Sequence, residues 1–336
     1  MKLVLSMCVC LLFCGLIAPI AQGAESRICF GERTTITDGA RSSRIVGTAG
    51  RDVIDAGAGS DTVLGRGGSD LICGNFGDDL LYGGRGNDKL NGGRNTGDVV
   101  EGGPGNDYME GDDESCCADL AGADTVSFRT ARGPVTVDLR TDQATGQGTD
   151  TVVGFGQIDG SDFDDRLIAD FVWPSAAIRG FAGDDVIIGF DGPEDLEEVF
   201  LGGKGNDTIN GRDGIDLMVG GLGADTLHGG LSNNNFGEVV GDEVLYGGFL
   251  ITNGWLWQGN GLGSVTVDLR AGTATGRQGN DTLSGIEDIT GSIGDDTLRG
   301  DAHDNSIGGN DGFDRVNGRG GTDSCDGEVV RNCEVV

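Results

Sequence analysis

The chain has 336 residues, of which 66 are glycine, 55 are Asp or Glu and 23 are Lys or Arg, giving a net charge of −32. So acidic a chain is a poor partner for DNA, RNA or an anionic membrane surface, which need the opposite sign. With 37% hydrophobic and 6% aromatic residues it is too lean for the two ordinary cores its length would suggest, so it either stays unfolded or orders its glycines and carboxylates by position.

Met1 and Lys2 precede an apolar run to Ile20 and then Ala21-Gln22-Gly23, a pattern that predicts a signal peptide over residues 1–23, cleaved before Ala24. The alternative is a retained anchor, because the run is as long as a short spanning helix. Removal leaves an exported, extracellular chain with no integral membrane segment. Cys8, Cys10 and Cys14 leave with the signal, and Cys29, Cys73, Cys116, Cys117, Cys325 and Cys333 remain. An even number in an exported chain favours disulfides. The pairing taken here is Cys29 with Cys73 and Cys325 with Cys333, each closing one end; the adjacent Cys116 and Cys117 are left unassigned.

After an N-terminal cap over residues 24–46, the chain divides into nine-residue lines: GTAGRDVID from Gly47, AGAGSDTVL, GRGGSDLIC, GNFGDDLLY, GGRGNDKLN, a ten-residue GGRNTGDVVE, and GGPGNDYME ending at Glu110. An Asp stands two residues before an apolar side chain in every line. The Asp series is Asp52, Asp61, Asp70, Asp79, Asp88, Asp98 and Asp107; the apolar series is Ile54, Val63, Ile72, Leu81, Leu90, Val100 and Met109. Glycines at positions one, two and four allow tight turns with φ > 0. Residues seven to nine can form a very short strand with residue eight inward and its neighbours outward. One line cannot bury its single apolar side chain. Two lines make a flattened coil, and coils stacked about 4.8 Å apart align the apolar residues in two internal ladders. The same stacking aligns the carboxylates, which repel unless a cation lies between them. Lys and Arg are too few to serve, and the available carboxylate and carbonyl oxygens suit calcium.

GGRGNDKLN and GGPGNDYME resemble the glycine-rich nonapeptide G-G-x-G-x-D-x-U-x of the RTX, or haemolysin-type, calcium-binding repeats. The resemblance implies an all-β, calcium-bound parallel β-roll (β-solenoid) with several Ca2+ ions, held by the position-six Asp and by turn carbonyls. It also implies about ten ions from the number of matching lines. Many members of that family leave the cell unfolded through a dedicated exporter; the N-terminal signal here points instead to the general pathway.

The first array occupies residues 47–127. A hairpin unit follows at 128–159, in which Val135-Thr-Val-Asp-Leu-Arg140, Ala144-Thr-Gly146 and Asp150-Thr-Val152 match Val265-Thr-Val-Asp-Leu-Arg270, Ala274-Thr-Gly276 and Asp281-Thr-Leu283 of a second copy. The alternation puts Val135 and Val137, or Val265 and Val267, on one face. The unit resembles β-hairpin segments that interrupt nonapeptide arrays in serralysin-like proteases and alginate-epimerase accessory modules, where it accompanies the roll and carries no chemistry.

A second array at 160–228 brings the ligand candidates Asp165, Asp185, Asp207, Asp216 and Asp225. Residues 229–290 hold an insertion and the second hairpin unit; Trp255 and Trp257 in the insertion would share one strand face, as a core plug or as a platform for a carbohydrate or partner. A third array and a disulfide-closed cap fill 291–336, with candidates Asp296, Asp314 and Asp323. Its line GDAHDNSIG has His303 and Asn305 in place of the position-four Gly and position-six Asp, and is expected to turn without a full site.

The sequence contains no HExxH, GxSxG, P-loop, GxGxxG or CxxC. Its two histidines, His228 and His303, both fall in repeat lines, and the paired carboxylates are explained by the repeat. Arg299-Gly300-Asp301 and the sequons at Asn206 and Asn280 straddle or sit inside repeat lines in the same way. The expectation is therefore a secreted, non-enzymatic calcium-binding β-roll whose folding is coupled to Ca2+, with a structural or interaction role outside the cell. The alternatives are a secreted carbohydrate-active hydrolase or lyase, and an adhesin that meets an extracellular polysaccharide or cell-surface partner.

Overall fold

The computed structural model describes residues 28–94, 97–112, 124–170, 175–191, 197–231, 241–247, 249–252, 255–258 and 263–334. The expected signal segment and the Cys116–Cys117 pair lie outside them. Among the described residues no helix is long and apolar enough to cross a membrane.

The line repeat becomes a strand repeat. Residues seven to nine of successive lines form strands such as Thr62–Leu64 and Leu80–Tyr82, while others, such as Val53–Ala58 and Leu71–Phe76, run on into the following turn. Alternate lines go to opposite sheets, so parallel partners are two lines apart: Thr62 pairs with Leu80 and Val53 with Leu71. One sheet has 13 strands, from Arg44–Val46 at one end to Ser324–Asp326 at the other. The facing sheet runs from Ile36–Thr37 to Val329–Arg331, each strand beside the next coil's. The architecture is a parallel β-roll.

Position eight points inward on both sheets, as alternation requires. Val63, Leu81, Val100, Val126, Ile158, Ile178 and Phe200 form part of one internal ladder, and Ile54, Ile72, Leu90, Met109, Val152, Leu167 and Ile187 part of the other, all in a single core. Each of them is at most 2% exposed.

The two hairpin units enter the roll as extra strands of the second sheet. Thr136–Asp138 turns through the short 3-10 segment Leu139–Thr141 into Gln143–Thr145, which lies antiparallel to it and to Thr149–Val153. Thr149–Val153 continues the stack from Tyr108–Asp112, and Thr136–Asp138 hands it on to Arg166–Ile168, both in parallel. The second copy repeats this between Thr226–Leu231 and Thr297–Arg299. Val135, Val137, Val265 and Val267 are buried in the core, on one face as expected. The arrays and hairpins thus form one uninterrupted stack.

Positions seven and nine depart from expectation over part of the 13-stranded sheet. Ala177, Val199, Leu201, Val219 and Leu245, which alternation turns away from the core, are buried and form a second apolar cluster with Leu217. Alternation fixes which way a side chain points and is silent on whether the outer face is covered.

Both ends are stapled. Cys29 is bonded to Cys73 and Cys325 to Cys333, the pairing expected. Cys29 packs with Val53 and Leu71 in a small cluster at the N-terminal end. Phe249–Thr252 and Trp255–Gln258 form a separate antiparallel pair.

Candidate metal centre

Position six lies where the turn enters the strand, two residues before the core residue, and this fixes the carboxylate against the next coil. One carboxylate oxygen accepts a main-chain bond from the preceding coil: Asp52 N–H donates to Asp70 Oδ1 at 2.8 Å, Asp70 to Asp88 at 2.7 Å, Asp88 to Asp107 at 2.8 Å and Asp107 to Asp150 at 2.9 Å. On the other edge Asp61 donates to Asp79, and Asp79 to Asp98, each at 2.7 Å, and Asp98 donates to Asp124 at 2.9 Å. The same rungs join Asp165 to Asp185, Asp185 to Asp207, Asp207 to Asp225 and Asp296 to Asp314. Asp216 donates to Asp242 and Asn305 to Asp323. Every position-six Asp expected from the sequence is buried, with at most 6% of its surface exposed.

The second oxygen is the chemically telling one. Oδ2 of Asp61, Asp70, Asp79, Asp88, Asp107, Asp150, Asp185, Asp207, Asp216, Asp225, Asp242, Asp314 and Asp323 is buried without a hydrogen-bond donor. An ionised oxygen cannot be left so without a large desolvation cost. Burial accordingly pushes these carboxyls up: Asp79, Asp107, Asp185, Asp207 and Asp216 to about 7, and Asp88, Asp150 and Asp225 to about 6. Asp242 reaches about 8, with Asp216 adding to the effect of burial.

Main-chain carbonyls converge on the same places. A Cβ added to Gly65 would lie 2.4 Å from the Gly83 carbonyl oxygen and 2.7 Å from Asp70 Oδ2; at Gly74 the corresponding atoms are the Gly92 oxygen at 2.2 Å and Asp79 Oδ2 at 2.4 Å. In these lines position one must be glycine because two hard oxygen donors already crowd that volume; Ala56 is the exception among the first lines. Among the described residues no three acidic, His or Cys side chains come together, so a cation on these rungs takes its oxygens from the turns as well as from Asp. An orphaned carboxylate oxygen, adjacent carbonyls and too few cationic side chains fit calcium, which accepts irregular all-oxygen shells.

The ladder recruits residues that the line pattern did not single out. Asp124, Asp150, Asp242 and Asp281 are rungs, and the hairpin units, expected only to accompany the roll, supply Asp150 and Asp281. A signal was present: residues 276–284 read GRQGNDTLS, and 145–153 carry Gly146, Gly148, Asp150 and Val152 at positions two, four, six and eight. Three glutamates extend the rungs, Glu287 taking the N–H of Asp242, Glu328 that of Asp314 and Glu334 that of Asp323. Strand register also shows where the 13-stranded edge departs from Asp at the rung position. Gly156 and Ala176 stand two residues before Ile158 and Ile178, and Glu198 two before Phe200, within the neighbouring strands. Asn305 needs no cation: its Oδ1 accepts the Asp301 N–H at 2.9 Å and its Nδ2 donates to the Glu287 carbonyl at 2.8 Å.

A family model described as "RTX calcium-binding nonapeptide repeat (4 copies)" matches residues 38–72, 65–97, 97–114, 201–236 and 283–316. A comparison with curated proteins finds no match. In the matched stretches the glycine turns, the Asp rungs and the paired apolar ladders coincide, and there the chain carries RTX, or haemolysin-type, calcium-binding nonapeptide repeats folded as a β-roll.

Proposed function

We propose that this is a secreted protein whose roll assembles only when several Ca2+ ions are bound, and that it serves outside the cell as a structural or interaction element without catalysis. The reading is carried by the orphaned Oδ2 atoms of the two Asp ladders. Bound calcium would supply positive charge and oxygen coordination between coils. Asp70, Asp79, Asp88, Asp107, Asp185, Asp207, Asp216 and Asp225 would hold it, together with turn carbonyls such as those of Gly83 and Gly92. Each of these Asp residues except Asp216, whose two oxygens are both without a donor, offers one oxygen to the neighbouring coil and keeps the other for the metal, so joining coils and holding ions are one arrangement. Asp61, Asp314 and Asp323 extend the ladders in the same manner.

The extracellular assignment is supported by the N-terminal apolar segment and by the two disulfides, which belong to an oxidising compartment. The millimolar calcium outside cells is the range in which extracellular calcium modules work. The test is a calcium titration of the signal-free chain followed by circular dichroism, with bound metal measured in parallel. A rise of β-structure in step with bound calcium is expected; full β-structure after exhaustive chelation would sink the coupling.

A further inference from the structure

The position-six carboxylates fall into two kinds, and the residue at position two separates them. In most lines position two is left-handed, even where it is not glycine: φ is +76° at Arg66, +78° at Asn75, +75° at Phe181 and +81° at Arg212. The Asp of each of these lines, Asp70, Asp79, Asp185 and Asp216, has a buried Oδ2 with no donor. Thr48, Ser161 and Ser292 occupy position two in three other lines, and none of them has positive φ. There the turn swings the position-two N–H onto its own line's carboxylate. Thr48 N–H donates to Asp52 Oδ2 at 2.6 Å, and Ser161 and Ser292 donate to Oδ2 of Asp165 and Asp296 at 2.5 Å.

Their hydroxyls lie close to the same carboxylates. Ser161 Oγ donates to Asp165 Oδ1 at 2.8 Å; Thr48 Oγ1 lies 3.0 Å from Asp52 Oδ2 and 3.1 Å from the Gly50 carbonyl oxygen, and Ser292 Oγ lies 2.8 Å from both Asp296 Oδ1 and the Gly263 carbonyl oxygen. The amide, joined at Ser161 by the hydroxyl, thus does for the carboxylate what N-cap side chains do for helix amides, with the roles reversed. By contrast, in the line beginning at Gly83 the position-two N–H of Gly84 is turned to the Gly102 carbonyl, and Asp88 Oδ2 is left bare. The three Ser or Thr lines are not placed at random along the chain: Gly47, Gly160 and Gly291 begin the first, second and third arrays, whereas the other position-two residues without positive φ, Arg277 and Asp301, lie elsewhere.

Resting on the calcium reading above, we propose that position two selects which lines take the cation. A left-handed residue there frees the second carboxylate oxygen for calcium, whereas Thr48, Ser161 and Ser292 satisfy it from within the chain, so that each array opens on a line that needs no metal. These three are positioning residues: they set the turn and so the availability of the Asp. A β-branched Thr is especially unsuited to φ > 0, and Ser and Thr bring the short hydroxyl that the extended turn can use.

The test counts bound calcium per full chain by native mass spectrometry, with equilibrium dialysis as a check and circular dichroism to establish that each variant is folded. Ser161→Gly and Ser292→Gly, made together, are expected to raise the count above that of the parent, and Arg66→Ser to lower it by one ion. An unchanged count in either folded variant overturns the proposal. Should the double variant fail to fold, Arg66→Ser alone decides. A parent chain that holds no calcium would refute the calcium reading itself, a result distinct from a calcium-loaded parent whose count these substitutions do not move.

Discussion

The main-chain N–H of Asp88 donates to Oδ1 of Asp107 at 2.8 Å, 19 residues further along the chain, while Oδ2 of each carboxylate is buried without a donor. The two oxygens of one side chain therefore face opposite demands. Oδ1 is satisfied by the fold; Oδ2 requires a proton or a metal.

That division sets a pH dependence for the metal-free chain. Burial raises Asp79, Asp107, Asp185, Asp207 and Asp216 to about 7 from an ordinary value of 3.8, so between these limits the folded state keeps protons that the unfolded state releases. The stability they contribute is fully present below pH 3.8 and is lost as pH rises through about 7. Denaturant unfolding of the chelated protein should give a lower midpoint at pH 7.5 than at pH 4.5, and excess calcium should remove the difference at pH 7.5. A metal-free midpoint that rises with pH would contradict the assignment.

Leu81 is fully buried in an internal ladder, flanked by Val63 and Val100 from the neighbouring coils. Leu81→Ala should cost about 2–5 kcal/mol through lost burial and the cavity left behind. Urea unfolding in saturating calcium measures it, and a loss below about 1 kcal/mol would mean that the coils close over the gap.

At Gly86 an added Cβ would lie 1.4 Å from the Gly68 carbonyl oxygen, with φ at +135°. The obstacle is backbone of the adjacent coil and cannot rotate away. Gly86→Ala should therefore lose more than about 3 kcal/mol or fail to fold. Gly133, with nothing within 4 Å of the same position, is the matched control, and Gly133→Ala should stay within about 1 kcal/mol of the parent. Equal thermal midpoints for the two variants would show that coil-to-coil contact does not set the glycine requirement.

The two disulfides should differ in weight because they close loops of different size, with sequence separations of 44 and 8. Chain-entropy arithmetic gives about 4 kcal/mol for the first and about 2.5 kcal/mol for the second. Replacing Cys29 and Cys73 by Ser should lower the unfolding midpoint more than the same change at Cys325 and Cys333. The reverse order would place the main constraint at the C-terminal end.

Much of this was legible in the sequence because the two informative positions are two residues apart and recur. Asp52 with Ile54 and Asp88 with Leu90 declare both the rung and the core residue, and the cysteine pairs follow from closing the two ends. Asp124 and Asp242 were harder to see: they lack the full glycine set upstream, and only strand register over long separations brings them beside Asp98 and Asp216. The distinction between Asp165 and Asp185 was likewise hidden. It depends on the backbone angle at position two, which a nine-residue consensus treats as one glycine-like slot. The buried outer face around Val199 and Val219 depends on what covers the sheet, and periodicity carries no information about that.

The rung from Asp107 to Asp150 spans 43 residues of chain and that from Asp225 to Asp281 spans 56, against 18 to 26 for the other Asp-to-Asp rungs. The hydrogen-bonded geometry at these steps is nevertheless that of the regular coils, 2.9 and 3.1 Å. A turn can therefore be opened and lengthened by tens of residues while the strands on either side keep their register. Such steps are natural grafting points, at which a foreign peptide could be displayed at a fixed height along the rod without redesigning its framework.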